Sequence, residues 1–258
     1  MTPQQFRETE KLYHYTSFNS ALKIILLNKL KFGRLGDMND VNEAYKHISY
    51  ECWGDIDTKD VQLELSRYRQ ISLTMDSSNY QGFDISAMWG HYAEKGKGVC
   101  LVFNKEKLIK ALSDGLHHNE VDYQIDFKGD ITIDSSNLSE SIGQNINKFF
   151  FTKSKDWEYE QEYRVVKKVD DINSDVFLPL NDSLIAIILQ YADSEEGVYD
   201  KYVDSIFSSQ HFRILDKITE QKLLILEYGH FFEECNLTDR EAECFSDEKV
   251  KMVDIDVK

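Results

Sequence analysis

Apolar residues change their period several times along this chain, and each change marks an expected element. Leu12, His14 and Thr16 alternate with Tyr13 and Tyr15, the period-two signature of a strand. Ser17 then stands before Phe18, Ala21, Leu22, Ile25 and Leu26, whose spacing predicts a capped helix from Phe18 to Asn28, and Leu30 to Phe32 resumes an extended run. Val61, Leu65 and Tyr68 predict a helix over 60–69, ISLTM at 71–75 a strand, and residues 87–93 a short helix. GVCLVF at 98–103 reads as a buried strand, followed by a helix that Asn104 caps. Val121 to Phe127 alternates as a strand, whereas Leu138, Ile142, Ile146 and Phe149 recur as one helix face. Strands are expected over 159–166, 184–190 and 223–227, with a helix over 195–208. Helices and strands alternate irregularly, which predicts an α+β protein with a mixed sheet.

Composition refines this picture without changing its class. Hydrophobic residues at 41% and charged residues at 29% support a folded core, and prolines occur only at positions 3 and 179, so no linker is visible. One large domain is expected: 1–169 as the main α+β part carrying the site, and 170–258 as a C-terminal α/β elaboration packed on it. The formal net charge of −16 disfavours nucleic-acid and membrane partners, although lysines at 148–155 and at 167 and 168 leave room for a local anion site. The four cysteines show no CxxC spacing, the chain opens MTPQQFRETEK without a basic-then-apolar leader, and its apolar runs fall short of the roughly 20 residues that span a bilayer. Those features predict reduced thiols in the cytoplasm.

Candidate chemistry begins at Trp157 to Arg164, WEYEQEYR. A two-residue period puts Glu160, Glu162 and Arg164 on one strand face; the alternative is a solvated face where Glu162 and Arg164 screen each other. His14 lies between two tyrosines, ahead of Thr16, Ser17 and a helix start that could receive an anion, or else it is a core histidine bonded to backbone. Trp89-Gly90-His91-Tyr92 could form a ligand-pocket wall or an aromatic lid over the core. The loop Asn39 to Glu43 lacks the spacing of a calcium site and His117-His118 that of a zinc site, so no metal is expected. P-loop, GxGxxG and GxSxG motifs do not occur.

Together, LYHYTS, NDVNE, MWGHYAEKGKGVCLVF and KSKDWEYEQEYRVV resemble the bacterial family known as domain of unknown function 2971, from about Leu12 to Val166. Val41 and Asn42 stand where that family has Pro and Phe, and Ile71-Ser72-Leu73-Thr74 where it has Cys-Phe-Ser. The order His14, then Ser72-Leu73-Thr74, then Glu160-Gln161-Glu162 is also similar to the ADP-ribosyltransferases that use NAD. That second resemblance implies a mostly antiparallel sheet core with flanking helices, and NAD as a substrate without a metal. Glu162 would stabilise the oxocarbenium-like sugar, Glu160 would orient or deprotonate an acceptor, and His14 would hold an NAD ribose hydroxyl on a strand supported by Thr16. Tyr15, Thr16, Ser72, Trp89, Tyr92 and Arg164 complete the implied cofactor-binding set, with Phe32, Tyr45 or Tyr92 packing on nicotinamide. The partner implied is a macromolecular acceptor, in a toxin or phage-defence role. Two other readings stay open: a non-catalytic module that binds a ligand or partner, and a metal-dependent nuclease built on Asp156, Glu160 or Glu162 with Lys153 or Lys167. The sharpest expectation is that His14 and Glu162 face one cleft.

Overall fold

The computed structural model describes residues 3–38, 50–53, 57–112, 115–125, 131–190, 211, 214–215, 217–219, 223–228, 244–246 and 250–252. Tyr45, the Asn39 to Glu43 loop and the helix expected over 195–208 lie outside them. The strands in chain order begin with β1 (Lys11–Thr16), β2 (Lys29–Lys31), β3 (Gly33–Arg34), β4 (Tyr50–Trp53), β5 (Tyr68–Met75), β6 (Val99–Asn104), β7 (Leu116–Glu120) and β8 (Asp122–Gln124). They continue with β9 (Ile131–Asp134), β10 (Thr152–Ser154), β11 (Glu162–Lys168), β12 (Phe177–Pro179), β13 (Leu184–Gln190), β14 (Leu224–Tyr228), β15 (Cys244–Ser246) and β16 (Val250–Met252). The protein is α+β with mostly antiparallel pairing, and its chain divides into two compact units: 1–29, 76–111 and 180–258 in the first, 30–75 and 112–179 in the second. Among the described residues no helix is long and apolar enough to cross a membrane.

In the first unit β1 and β13 each pair antiparallel with β6, β13 runs parallel to β14, and β16 is antiparallel to both β14 and β15. The unbroken apolar runs of β6 and β13 follow from their position: both faces are covered, so alternation is lost. The helix Phe18–Leu27 starts where expected because the Ser17 side chain accepts from the Ser20 N–H. It ends at Asn28, which adopts a left-handed conformation with φ 50°. Glu94, Lys95 and Gly96 all have positive φ (50°, 57° and 88°) in the turn that feeds β6. Gly98 closes that turn, and a Cβ there would stand 2.3 Å from the Thr16 carbonyl oxygen and 2.8 Å from Ala93 Cα. Only glycine lets the chain enter β6 so close to β1.

In the second unit β11 is antiparallel to β5 on one side and to β7 on the other, while β3 pairs with β5. Two smaller parallel pairs join β10 with β8 and β4 with β9, and β12 pairs with β2. Val61, Leu65, Ile142, Phe149 and Phe150 form a buried cluster with Tyr68 and Val166 of the sheet. Several expected boundaries shift here. The helix expected over 60–69 is Thr58–Leu65, capped by Asp57, and Tyr68 already belongs to β5. The helix through Leu138 and Phe149 breaks at Asn145 into Leu138–Gln144 and Ile146–Phe150; the Asn145 amide donates to the Ser141 carbonyl at 2.9 Å and competes with the helical ladder. Of the strand expected over 121–127, Asp122–Gln124 forms and residues 126–127 lie outside the described set. β7, LHHNE, carries no apolar alternation because it is an exposed edge strand.

Candidate functional site

The WEYEQEYR segment is not one strand. Lys155–Glu160 winds as a 3-10 helix, Gln161 turns the chain in a left-handed conformation with φ 44°, and β11 starts only at Glu162. Glu160 therefore does not share a strand face with Glu162, which corrects the two-residue alternation. The two carboxylates meet by another route. Lys153 Nζ lies 2.7 Å from Glu160 Oε2 and 3.7 Å from Glu162 Oε2. Arg164 grips Glu162 in a bidentate pair, Nε to Oε1 at 2.5 Å and Nη2 to Oε2 at 2.6 Å, while its Nη1 donates to the Phe150 carbonyl at 2.7 Å.

All four side chains are removed from water: Glu160, Glu162 and Lys153 are each 3% exposed and Arg164 is 0% exposed. A solvated strand face is thereby ruled out for Glu162 and Arg164. Desolvated charges need partners with satisfied geometry, and two acids matched by two bases give a cluster of zero formal charge. The Trp157 ring covers the Lys153 ammonium at 4.6 Å, adding a cation–π contact.

Register explains what else stands at this place. Across the antiparallel pair Arg164 faces Ser72 and Glu162 faces Thr74, so Ser72, Thr74, Glu162 and Arg164 share one sheet face. Gln70 follows on the same side of β5, buried, with its Nε2 3.5 Å from Ser72 Oγ and its Oε1 without a donor among the described residues. From the small parallel pair, Tyr123 sits directly opposite Lys153, and its Oη accepts the Glu162 N–H at 2.9 Å. Burial and the neighbouring Glu162 push the Tyr123 hydroxyl well above its ordinary range, so it stays protonated. Sequence reasoning missed Tyr123 altogether and named Lys153 only for the metal-dependent nuclease reading.

Ser72, Glu160, Glu162 and Arg164 thus come together in the second unit, whereas His14, Tyr15, Thr16, Trp89 and Tyr92 belong to the first. There, His14 and Thr16 share one face of β1 and are partly exposed. Tyr15 takes the other face, donates to the Gly82 carbonyl at 2.7 Å and meets Trp89 edge-on at 5.2 Å. Trp89 is buried and donates its indole N–H to the Phe83 carbonyl at 2.8 Å, a core contact, while Tyr92 is half-buried. Phe32 is buried in the second unit. Among the described residues no three His, Cys, Asp or Glu side chains gather as a metal set.

Buried tyrosines give the second unit a defined response to alkali. Tyr68, packed on Phe150 with ring centroids 4.6 Å apart, is pushed up to about 12 by burial and by Glu64. Its unfolded counterpart ionises near 10, so between those values the folded state keeps a proton that the unfolded state has lost. The stabilisation is complete below pH 10 and is lost as pH rises through about 12, at a slope of about 1.4 kcal/mol per pH unit for one group. Tyr163, raised by burial and Glu120, acts in the same direction. Urea midpoints measured across this window should fall steeply, and Tyr68→Phe should remove roughly one group's share of the slope.

Residues 88–165 match the model of a family described as protein of unknown function (DUF2971). No curated protein and no solved structure matches the chain. The matched stretch contains Trp89, Tyr92, Tyr123, Lys153, Glu160, Glu162 and Arg164, and it leaves His14 and Ser72 outside.

Proposed function

We propose that this protein uses NAD as a substrate, as an ADP-ribosyltransferase or an NAD-cleaving effector, with Glu162 as the carboxylate that meets the developing positive charge. The observation that carries this reading is the fixed orientation of Glu162, held through both oxygens by Arg164 and approached by Lys153. A carboxylate already held in place needs no reorganisation when the sugar gains oxocarbenium character. In the reaction the glycosidic C–N bond breaks, its electron pair leaves with nicotinamide, and an acceptor oxygen or nitrogen, or water, bonds to the sugar carbon and gives up its proton. Glu160 is the group assigned to orient or deprotonate that acceptor. The resemblance assigns His14 to a ribose hydroxyl. The macromolecular acceptor belongs to the same reading, as do the toxin and phage-defence roles.

Incubating the full chain with labelled NAD tests it. Wild-type protein should release nicotinamide, and Glu162→Gln should slow release about a hundredfold. Release that proceeds at the same rate in Glu162→Gln would remove Glu162 from the chemistry.

A second reading, a non-catalytic module binding a ligand or partner, is favoured by the 3% exposure of Glu162 and by the pairing of both its oxygens with Arg164. On that reading the cluster is an internal tie. Glu162→Gln would then lower stability, and wild-type protein would neither bind nor cleave NAD.

A further inference from the structure

The four charged residues leave open what holds Glu162 itself, since Arg164 reaches it from the same strand, two residues away. The first residue of a strand is free to fray unless something outside the strand fixes its backbone. Pairing with β5 supplies part of that support, through Thr74 opposite Glu162 and the Met75 N–H on the Gln161 carbonyl, and β10 and β8 add the rest. They run parallel with Lys153 opposite Tyr123 and Thr152 opposite Asp122, which sets the Lys153 and Tyr123 side chains beside each other on one face. Lys153 then reaches the Glu162 carboxylate and Tyr123 reaches its backbone N–H. The main chain adds to this hold, because the Val121 N–H donates to the Glu162 carbonyl at 2.9 Å and the Asp122 N–H to the Phe151 carbonyl at 2.8 Å.

We infer that Tyr123 is a positioning residue for Glu162: its hydroxyl oxygen fixes the N–H at the start of β11, and the Lys153–Tyr123 strand pair sets where the carboxylate stands. The inference rests on the reading of Glu162 as the acting carboxylate, and it adds a residue that the WEYEQEYR segment does not contain. Tyr123 serves as an acceptor here. Its oxygen takes the Glu162 N–H. Burial keeps the Tyr123 hydroxyl protonated, so the Glu162 N–H is accepted by a neutral phenol oxygen.

Tyr123→Phe keeps the ring and deletes the oxygen. With the full chain and NAD as the probe, and rates expressed per folded molecule from each protein's unfolding curve, three variants decide the matter: Tyr123→Phe, Glu162→Gln and the two combined. Tyr123→Phe should lower kcat about tenfold with KM for NAD unchanged within about twofold, because a positioning residue acts on the carboxylate and not on ligand affinity. If Tyr123 acts through Glu162, the double variant should be no slower than Glu162→Gln alone. A Tyr123→Phe protein with wild-type kcat overturns the inference while the NAD reading stands. So does a rise in KM with kcat unchanged, which would make Tyr123 a ligand contact. Additive losses in the double variant overturn it as well. Wild-type protein inert towards NAD overturns the functional reading and this role together.

Discussion

Arg164→Met should destabilise the protein by about 3–5 kcal/mol, the largest loss expected from any single side chain in the second unit. The magnitude comes from what is left behind. Among the described residues, the Glu162 carboxylate would retain only the Lys153 ammonium at 3.7 Å, an ammonium already committed to Glu160 at 2.7 Å, inside a region from which water is excluded. The Phe150 carbonyl would lose the Arg164 donor too. Replacing the pair together, as Arg164→Met with Glu162→Leu, should recover most of the loss, because a buried ion pair is worth little against apolar side chains of similar size. Denaturant midpoints of the two single variants and the double variant form the cycle that measures this. Equal destabilisation by the single and the double variant would show that packing, not a stranded charge, dominates. The double variant also separates the two functional readings, since it restores an internal tie but never a reacting carboxylate.

Gly98→Ala should cost about 3 kcal/mol, the upper end of what one added methyl does in a tightly packed place. The new Cβ would meet backbone atoms, Thr16 O at 2.3 Å and Ala93 Cα at 2.8 Å, and backbone cannot rotate aside as a side chain can. Gly90 is the matching control, because it lies within the helix Ser86–Tyr92 with nothing within 4 Å of a built Cβ. There the change to alanine should be neutral or mildly stabilising through helix propensity. Thermal unfolding followed by circular dichroism distinguishes the two; equal midpoints for both variants would refute the close-approach argument.

Much of the fold could be read from periodicity wherever one face was buried and the other was not. β1, the helix capped by Ser17 and the helix capped by Asn104 all came through at nearly their expected limits, because a local capping side chain or a clean alternation specifies each. Asn145 shows where periodicity fails. The apolar spacing runs through it undisturbed, but its side chain offers the backbone an alternative bond that no pattern of apolar residues reveals. β7 failed for the opposite reason, having no buried face to leave a pattern.

The candidate site was half legible. Glu160, Glu162 and Arg164 stood out as charged residues in an aromatic segment, yet their partnership depends on a left-handed Gln161 that replaces strand alternation with a turn. Tyr123 was invisible for a different reason. In VDYQI it falls on the same alternation as Val121 and Ile125 and looks like one more apolar position; only the parallel register with Lys153 gives its hydroxyl a place.

The buried cluster also bears on how the second unit reaches its final state. Lys153, Glu160, Glu162 and Arg164 lie within a single short stretch of chain, so bringing them together closes a small loop at little entropic cost. Their desolvation depends on remote partners, because Ser72 and Thr74 on β5 must pair with Arg164 and Glu162 across a long sequence separation. The charges can therefore gather early while still wet, and pairing of β5 with β11 becomes the slower event that dries them. In kinetic terms, the drying of the cluster waits on a long-range pairing even though its residues are neighbours from the start.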